Sequence, residues 1–234
     1  MKNILIIHYN TPTLTLATIK SVRKHTPGCY FYVFDNSDKY PFVPDKDDIH
    51  VFDNTKGAIL NFNEIFKKYK NFLPTKNNQA SAQHMLSVDW CFDNIPNNFC
   101  LLDSDILLKK DISELFQDDL CAAGMVSLPK QLELRQGLFN CNSRFYPFLL
   151  YINLSYCKRY NIRFTAPFKL WKLEFKNNQL FDTGAAFYEE LLSKQVNFKV
   201  INIKSYIVHF GGGSYKKTKE DAKQWLMLHK NLYN

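Results

Sequence analysis

The sequence lacks the features that would place it in several common classes of protein. Its six cysteines form no Cys-x-x-Cys pair and follow no regular spacing, so they predict neither a zinc site nor a disulfide framework. We therefore expect a reduced, cytosolic protein whose cysteines mostly pack as small apolar side chains. No apolar run approaches the roughly 18 residues of a membrane-spanning helix, and the run at residues 4–7 is too short for a secretion signal.

Patterns of nucleic-acid binding are also missing. The lysines are scattered, with no basic tail, and the chain has no zinc-ligand spacing, RRM motif or helix-turn-helix pattern. The formal net charge of +8 still favours an anionic partner. By itself this charge fits nucleic acid, an anionic membrane surface or a phosphorylated small molecule.

The chain does contain enough apolar sequence for a sizeable core. Hydrophobic residues make up 46% of the 234 residues and aromatic residues 15%, which excludes a disordered protein. There is neither an internal repeat nor a linker, so we expect a single domain over residues 1–234.

Strand-like and helix-like segments alternate in the first half of the chain. Continuous apolar runs predict strands at residues 3–7, 29–35, 48–53 and 98–103. Apolar residues at helical spacing predict helices at residues 13–25, 57–70 and 80–93. This alternation predicts an α/β fold with an open, mostly parallel sheet flanked by helices.

The second half is less regular. We expect a strand at 121–128, a helix over 148–160, a strand–helix unit at 181–195, two short strands near 199–210 and a final helix at 218–232. Residues 130–180 are rich in aromatic side chains and predict an irregular segment.

Polar side chains stand where four of the predicted strands end. They are His8 and Asn10, then Asp35, then Asp53 and Asn54, and finally Asp103 and Asp105. The carboxyl ends of parallel strands meet at one edge of a sheet, where ligands collect. The sequence therefore predicts a binding site at this edge.

Asp103 and Asp105 interrupt the apolar stretch CLLDSDILL. Two ionised carboxylates among apolar residues are unfavourable by several kcal/mol unless a positive group meets them. Carboxylate oxygens suit Mg²⁺ or Mn²⁺, both of which also bind substrate phosphates. The pair predicts a site for one of these ions, although such a pair can also cap a helix or face water.

In order and spacing these motifs resemble the GT-A glycosyltransferases, most closely the bacterial family 2 type. The resemblance rests on ILIIHYNT, YVFDNSD, DNTKGAILNFNEIF and LLDSD, and beyond about residue 117 only on FDTGAAF and VHFGGGS. It implies a GT-A (Rossmann-like) fold whose residues 1–117 bind the nucleotide sugar and whose residues 118–234, with the irregular segment, face the acceptor. It also implies a metal-dependent, inverting transfer of a sugar from a nucleotide-sugar donor, with a UDP-sugar favoured, to a hydroxyl group of a glycan or lipid-linked acceptor. The resemblance places this reaction in bacterial surface polysaccharide or lipooligosaccharide synthesis.

The resemblance also implies roles for individual residues. Asp35 would bind uridine or another base, Asp103 would face the ribose and the metal, and Asp105 would ligate the metal. The other donor-binding candidates in this half are His8, Asn10, Asn54, Lys56, Gly57, Gln83, His84 and Ser104. A single histidine such as His84 on an apolar helix is also common as a packed residue.

His209 ends an apolar strand and is followed closely by three glycines. Imidazole is an acceptable third ligand for Mn²⁺ beside carboxylate and phosphate. The position of His209 also resembles that of the metal-binding histidine that many GT-A enzymes have late in the chain. Gly212, Ser214 and Lys216 are candidates for binding the diphosphate. The alternative is a flexible loop beside a buried histidine.

Asp182 is the candidate general base, since an inverting transfer needs a carboxylate to take the proton of the acceptor hydroxyl. The family often has the dipeptide Glu-Asp at this position, at the start of a helix. In this chain Phe181 precedes Asp182, so the first of the two acidic residues is missing. Asp182 could equally bind sugar hydroxyls in a retaining enzyme, or cap a helix. Trp171 is the candidate for stacking on an acceptor sugar.

Two other functions fit parts of the sequence. A nucleotidyltransferase acting on a sugar phosphate shares the sheet and the metal, but HYNTPT lacks its usual glycine-rich loop. A non-catalytic nucleic-acid-binding module would use the net charge, yet the missing motifs argue for no nucleic-acid partner. A phosphatase of the haloacid dehalogenase type places its aspartate pair near the N-terminus, unlike residues 103–105.

The net positive charge also suits peripheral contact of the protein with an anionic inner membrane face. Flotation with anionic vesicles tests this contact.

Overall fold

The computed structural model describes residues 1–71, 76–128, 130–134, 137–165, 179–180, 183–211 and 218–234. Its strands are β1 (Lys2–His8), β2 (Cys29–Asp35), β3 (Ile49–Asp53), β4 (Phe99–Asp103), β5 (Ile106–Leu108), β6 (Ala122–Ser127), β7 (Lys130–Leu134), β8 (Gly137–Cys141), β9 (Arg144–Ile152), β10 (Gln179–Leu180), β11 (Phe198–Val200) and β12 (Ile207–His209). Its α-helices are α1 (Pro12–His25), α2 (Phe62–Lys68), α3 (Lys76–Asn94), α4 (Leu154–Arg159), α5 (Ala185–Ser193) and α6 (Lys219–Leu228).

A seven-stranded sheet in the order β11-β6-β9-β4-β1-β2-β3 forms the centre of the molecule. β1 pairs in parallel with β2 and β4, and β2 pairs in parallel with β3. β9 runs antiparallel between β4 and β6, and β11 is parallel to β6. The open, mostly parallel α/β sheet predicted from the sequence is therefore confirmed.

The central strands are apolar on both faces because each face has its own core. In β1, Leu5 belongs to the core that also contains Met85 and Val88 of α3. Ile4 and Ile6 point the other way, into the core that contains Ile19 and Val22 of α1. Each such buried side chain stabilises the fold by roughly 1.5–3 kcal/mol. The sheet is thereby held in one register, with the carboxyl-terminal residues of its parallel strands β1, β2, β3 and β4 at one edge.

The predicted helix over 148–160 is wrong in its first part. Residues 148–152 belong to β9, and the helix there is α4, which begins after Asn153. The Asn153 side chain accepts hydrogen bonds from the N–H groups of Ser155 and Tyr156, which is a typical N-cap. A continuous apolar run such as FLLYI has no period that distinguishes a buried strand from a buried helix.

The described residues also form two smaller sheets. β7 and β8 form an antiparallel hairpin joined in parallel by β10, all within the segment predicted to be irregular. β12 pairs antiparallel with β5. The predicted helix over 57–70 is shorter than expected, because Asn61 caps α2 and residues 57–60 are not helical.

Five cysteines are free thiols in the core, namely Cys29, Cys91, Cys100, Cys121 and Cys157. Burial raises the pKa of the Cys29 thiol to about 11, so it stays protonated near neutral pH. This agrees with cysteines that serve as small apolar side chains. Across the described ranges, no helix has both the length and the apolar character needed to cross a bilayer.

Asp89 of α3 anchors the chain that follows α4. Its carboxylate accepts hydrogen bonds from the N–H groups of Phe164 at 2.6 Å and Thr165 at 3.2 Å, and Arg163 Nε lies 3.4 Å away. Burial raises the pKa of Asp89 to about 6, against the opposing effect of these hydrogen bonds and of Arg163. The folded protein therefore holds a proton on Asp89 at a pH where the unfolded chain has released it.

This pKa predicts how stability changes with pH. The contribution of Asp89 is fully present below its ordinary pKa of 3.8 and is lost as the pH rises through about 6. The free energy of unfolding of the wild type, relative to Asp89→Asn, should fall by about 2 kcal/mol between about pH 4.5 and about pH 7. Urea titrations at several pH values measure this difference.

Asp93 supplies the control of opposite sign. A hydrogen bond from Arg163 lowers the pKa of Asp93, so its contribution is lost as the pH falls. Asp93→Asn should therefore change the pH dependence in the opposite direction. A pH-independent difference for Asp89→Asn would contradict the assignment.

Candidate metal and nucleotide site

Three side chains of metal-ligand type meet at the carboxyl end of β4. Asp103 is the last residue of β4, Asp105 lies in the turn before β5, and His209 ends β12. The antiparallel pairing of β12 with β5 places His209 opposite Ile106. The N–H of Phe210 donates to the backbone oxygen of Asp105 at 2.9 Å, which holds the same register.

The ligand atoms of these residues lie close enough to share one cation. His209 Nε2 is 3.1 Å from Asp105 Oδ1 and 3.9 Å from Asp103 Oδ2. One ligand atom from each of the three residues lies within 4.8 Å of the others. Asp105 is only 8% exposed, whereas Asp103 and His209 are half-buried, so the cluster opens to solvent on the side of Asp103 and His209.

The chemistry of this set fits a divalent cation. Two carboxylates at close range repel each other, and a cation between them removes that cost. Oxygen donors with one imidazole are compatible with Mn²⁺, and carboxylates with substrate phosphates suit Mg²⁺. The structure thus brings together the three residues that the sequence nominates as ligands.

α3 adds a second histidine to this cluster. His84 Nε2 lies 3.8 Å from Asp103 Oδ1, and the His84 side chain is 20% exposed. His209 approaches the other oxygen of the same carboxylate. Asp103 therefore lies between two imidazoles, one near each oxygen. The neighbouring Gln83 is half-buried, and its backbone oxygen accepts a hydrogen bond from Ser87.

The turn between the two aspartates is held by α1 and the residue before it. Thr18 Oγ1 lies within hydrogen-bond distance of the backbone oxygens of Ser104 at 3.2 Å and Ile106 at 2.7 Å. The Ser104 hydroxyl lies 3.2 Å from that of Thr11. Thr18 is fully buried. It therefore helps to fix the turn that carries Asp105, a role that sequence reasoning missed because threonine at a helical position carries no distinguishing pattern.

Three of the predicted donor-binding residues order one loop, residues 36–42. Both Asp35 carboxylate oxygens accept backbone N–H groups of this loop, from Ser37 at 2.9 Å and Phe42 at 2.7 Å. Asn10, in the left-handed region at φ 56°, accepts from Lys39 and Tyr40 through its side-chain oxygen. Asp35 is 1% exposed, so in this structure its carboxylate shapes the loop from within.

His8 is the third of these residues. Its imidazole is completely buried, with Nδ1 2.7 Å from Thr15 Oγ1 and Nε2 3.2 Å from the backbone oxygen of Tyr40. Burial lowers the pKa of His8, although the nearby Asp35 carboxylate opposes this effect. The neutral imidazole is therefore favoured, and it links α1 to the loop.

A buried amide network joins this loop to α3. Asn54 donates to Asn36 at 2.8 Å and accepts from the N–H groups of Ile59 and Leu60. Asn36 in turn donates to the Ser87 hydroxyl of α3 at 2.9 Å. Sequence reasoning missed Asn36 and Ser87, although Asn36 directly follows Asp35. Through this network the ends of β2 and β3 help to set the position of the helix that carries His84.

The remaining predicted site residues have varied positions. Gly57 has φ 70° in the turn after Asn54, and Lys56 beside it is exposed. Five predicted residues lie outside the part of the chain that the structure describes, namely Trp171, Asp182, Gly212, Ser214 and Lys216.

Comparison with known proteins identifies the fold. No protein-family model matches the chain, and no curated protein matches it in sequence. A crystal structure of the galactosyltransferase LgtC, in complex with donor and acceptor sugar analogs, is similar over 99% of this chain and 96% of that chain, with a TM-score of 0.57 and 12% identity. An active-site mutant of LgtC is similar over 86% of this chain and 73% of that chain, with a TM-score of 0.51 and 14% identity. At these identities the likeness concerns the fold alone, and it confirms the GT-A architecture predicted from the sequence.

Proposed function

We propose that the protein is a metal-dependent glycosyltransferase, which moves a sugar from a nucleotide-sugar donor to a hydroxyl group of a glycan or lipid-linked acceptor. The observation that carries this proposal is the cluster of Asp103, Asp105 and His209 at the carboxyl end of the central strands. Ligands of open α/β sheets bind at this edge. The shared fold with LgtC, crystallised with donor and acceptor sugar analogs, supports the proposal.

In this reaction the bond between the anomeric carbon and the diphosphate oxygen breaks, and a bond from that carbon to the acceptor oxygen forms. The nucleoside diphosphate leaves with the electron pair, and the acceptor hydroxyl loses its proton. A divalent cation held by Asp103, Asp105 and His209 would offset the charge on the leaving diphosphate. Thr18 and the pairing of β12 with β5 hold Asp105 and His209, and the pairing of β4 with β1 holds Asp103, so the three side chains are in position before the donor arrives.

The finer proposal concerns donor and stereochemistry. We assign the nucleobase to the loop at residues 36–42, which Asp35 and Asn10 order, with a UDP-sugar as the donor. Asp182 is proposed as the general base of an inverting transfer. We further propose that the enzyme is of the family 2 type and acts in bacterial surface polysaccharide or lipooligosaccharide synthesis. Its proposed location is the cytoplasm, with peripheral contact to an anionic membrane. The net charge of +8 supports this membrane contact.

Calorimetry with UDP, GDP, CDP and dTDP, each with and without Mn²⁺, tests this function on the wild type. We expect one nucleoside diphosphate to bind, and only when Mn²⁺ is present. The corresponding nucleotide sugar should then yield that nucleoside diphosphate as a product. A nucleotidyltransferase would instead release pyrophosphate from a nucleoside triphosphate and a sugar phosphate. If no nucleotide binds under any condition, the glycosyltransferase proposal is wrong.

A further inference from the structure

Strand β9 is strongly bulged beside the metal-ligand cluster. In its pairing with β6, Gly124 lies opposite Leu150 and Val126 lies opposite Phe145. A step of two residues along β6 therefore corresponds to a step of five along β9. Pro147 lies inside this bulge and has no N–H to donate to a ladder. Bulges of this kind re-aim side chains, and they are common next to functional sites.

The bulge aims two aromatic rings at the candidate metal centre. The ring centroid of Phe148 lies 4.1 Å from that of His209, with 42° between the ring planes. Tyr146 stacks on Phe148 at 4.9 Å and 24°. The guanidinium of Arg144 lies 5.1 Å from the centroid of the Tyr146 ring. These side chains form a continuous row that ends on the imidazole.

The backbone after His209 also lies close to the imidazole. Gly211 has φ 68°, and a Cβ added there would lie 3.8 Å from His209 Cε1 and 3.9 Å from Nδ1. Nε2, the ring atom on the other side of Cε1 from Nδ1, faces Asp105 at 3.1 Å. The imidazole thus packs against the Phe148 ring while Nε2 points at the carboxylates, and a side chain at position 211 would lie beside the same imidazole.

We propose that Phe148 is a positioning residue of the metal centre, an inference that rests on the proposed function. Its ring holds the imidazole plane of His209 in the orientation that directs Nε2 toward Asp105 and Asp103. The Phe148 ring already contacts the rings of His209 and Tyr146, which favours this role over stacking on a bound sugar. Hydrogen-bonding groups that orient a metal ligand typically change metal affinity by 10- to 100-fold when they are removed, and we expect an orienting ring to act at the lower end of this range.

Titration with Mn²⁺, followed by the electron paramagnetic resonance signal of the free ion, tests this role without any turnover. Phe148→Leu keeps an apolar side chain but removes the ring, and it should raise the Kd for Mn²⁺ at least about tenfold. Phe148→Tyr keeps the ring and should bind Mn²⁺ nearly as well as the wild type. Phe116→Leu is the matched control, because Phe116 is also half-buried against the same core but contacts Tyr151 at 5.3 Å.

A second measurement reports the imidazole itself in the metal-free protein. With isotope-labelled histidine, the Cε1–H resonance of His209 should carry a ring-current shift from Phe148. Phe148→Leu should remove this shift, and Phe116→Leu should leave it unchanged. A general loss of stability would not produce this selective change in a variant that remains folded.

The outcomes separate the two proposals. If Phe148→Leu binds Mn²⁺ as tightly as the wild type, the positioning role is wrong and the proposed function stands. If the wild type binds no Mn²⁺, with or without a nucleoside diphosphate, the metal site of the proposed function fails, and the positioning role fails with it. If Phe148→Tyr binds as weakly as Phe148→Leu although both variants are folded, the aromatic ring is not the cause and the role is also overturned.

Discussion

Replacing Asp105 by asparagine should abolish metal-dependent nucleotide binding and lower kcat/KM for sugar transfer at least about a hundredfold. Asp105 is the more buried of the two aspartates, and its Oδ1 lies 3.1 Å from His209 Nε2. Asparagine has nearly the same shape, so the packing of the turn should be retained. What the substitution removes is the negative charge that would hold a divalent cation. Calorimetry with the nucleoside diphosphate and Mn²⁺, together with initial rates, measures both effects.

The same substitution at an unrelated exposed carboxylate is the control for this experiment. Asp111 accepts hydrogen bonds from the N–H and the hydroxyl of Ser113, two residues along the chain. Asp111→Asn should keep wild-type nucleotide binding and transfer. Because one of two neighbouring carboxylates is removed, Asp105→Asn should also be no less stable than the wild type without metal. Undiminished Mn²⁺-dependent binding by Asp105→Asn would show that Asp105 is not a ligand.

Replacing Gly184 by alanine should lower the free energy of unfolding by more than about 3 kcal/mol. Gly184 precedes α5 with φ 87°, a left-handed conformation that costs an L-residue about 1–2 kcal/mol. A Cβ there would also lie 2.2 Å from the backbone oxygen of Phe145. That oxygen belongs to β9, in the middle of the main sheet, and it cannot move without displacing the strand. Urea unfolding curves give the loss.

Gly28 provides the matched comparison, because its φ is 77° and a Cβ there would meet nothing within 4 Å. Gly28→Ala should therefore lower the free energy of unfolding only by the cost of the left-handed backbone conformation, which is about 1–2 kcal/mol. The amount by which Gly184→Ala lowers the free energy of unfolding more than Gly28→Ala does is the cost of the clash between the added Cβ and β9. Equal losses in the two variants would mean that β9 yields easily at Phe145, contrary to the packing described.

The parts of the fold that were predicted correctly are those with a strong local signal. β2 occupies residues 29–35 as predicted, and α1 begins at Pro12, one residue before the predicted helix. A continuous apolar run is buried on both faces of a parallel sheet, and proline fits the first turn of a helix. The error at 148–152 has the same origin, since an apolar run that is buried everywhere carries no period.

The orientation of polar residues at the sheet edge was less predictable. The sequence places Asp35 and His8 at the ends of strands, where they could face a ligand or the protein. The structure shows that both are buried and hold the loop at residues 36–42, through backbone partners up to 32 residues away. Such partners depend on how the loop folds back, which no local pattern expresses.

By itself the sequence determined the parallel α/β sheet, the edge at which its polar residues collect and the carboxylate pair at Asp103 and Asp105. These follow from burial patterns and from chemistry within a few residues. Only the tertiary structure decided that His209, 104 residues beyond Asp105, reaches the same point, because the pairing of β12 with β5 brings it there. It also decided that the bulge in β9 sets Phe148 against that imidazole. Strand pairing across such distances is selected by the free energy of the whole core, so it has no counterpart in the periodicity of either segment.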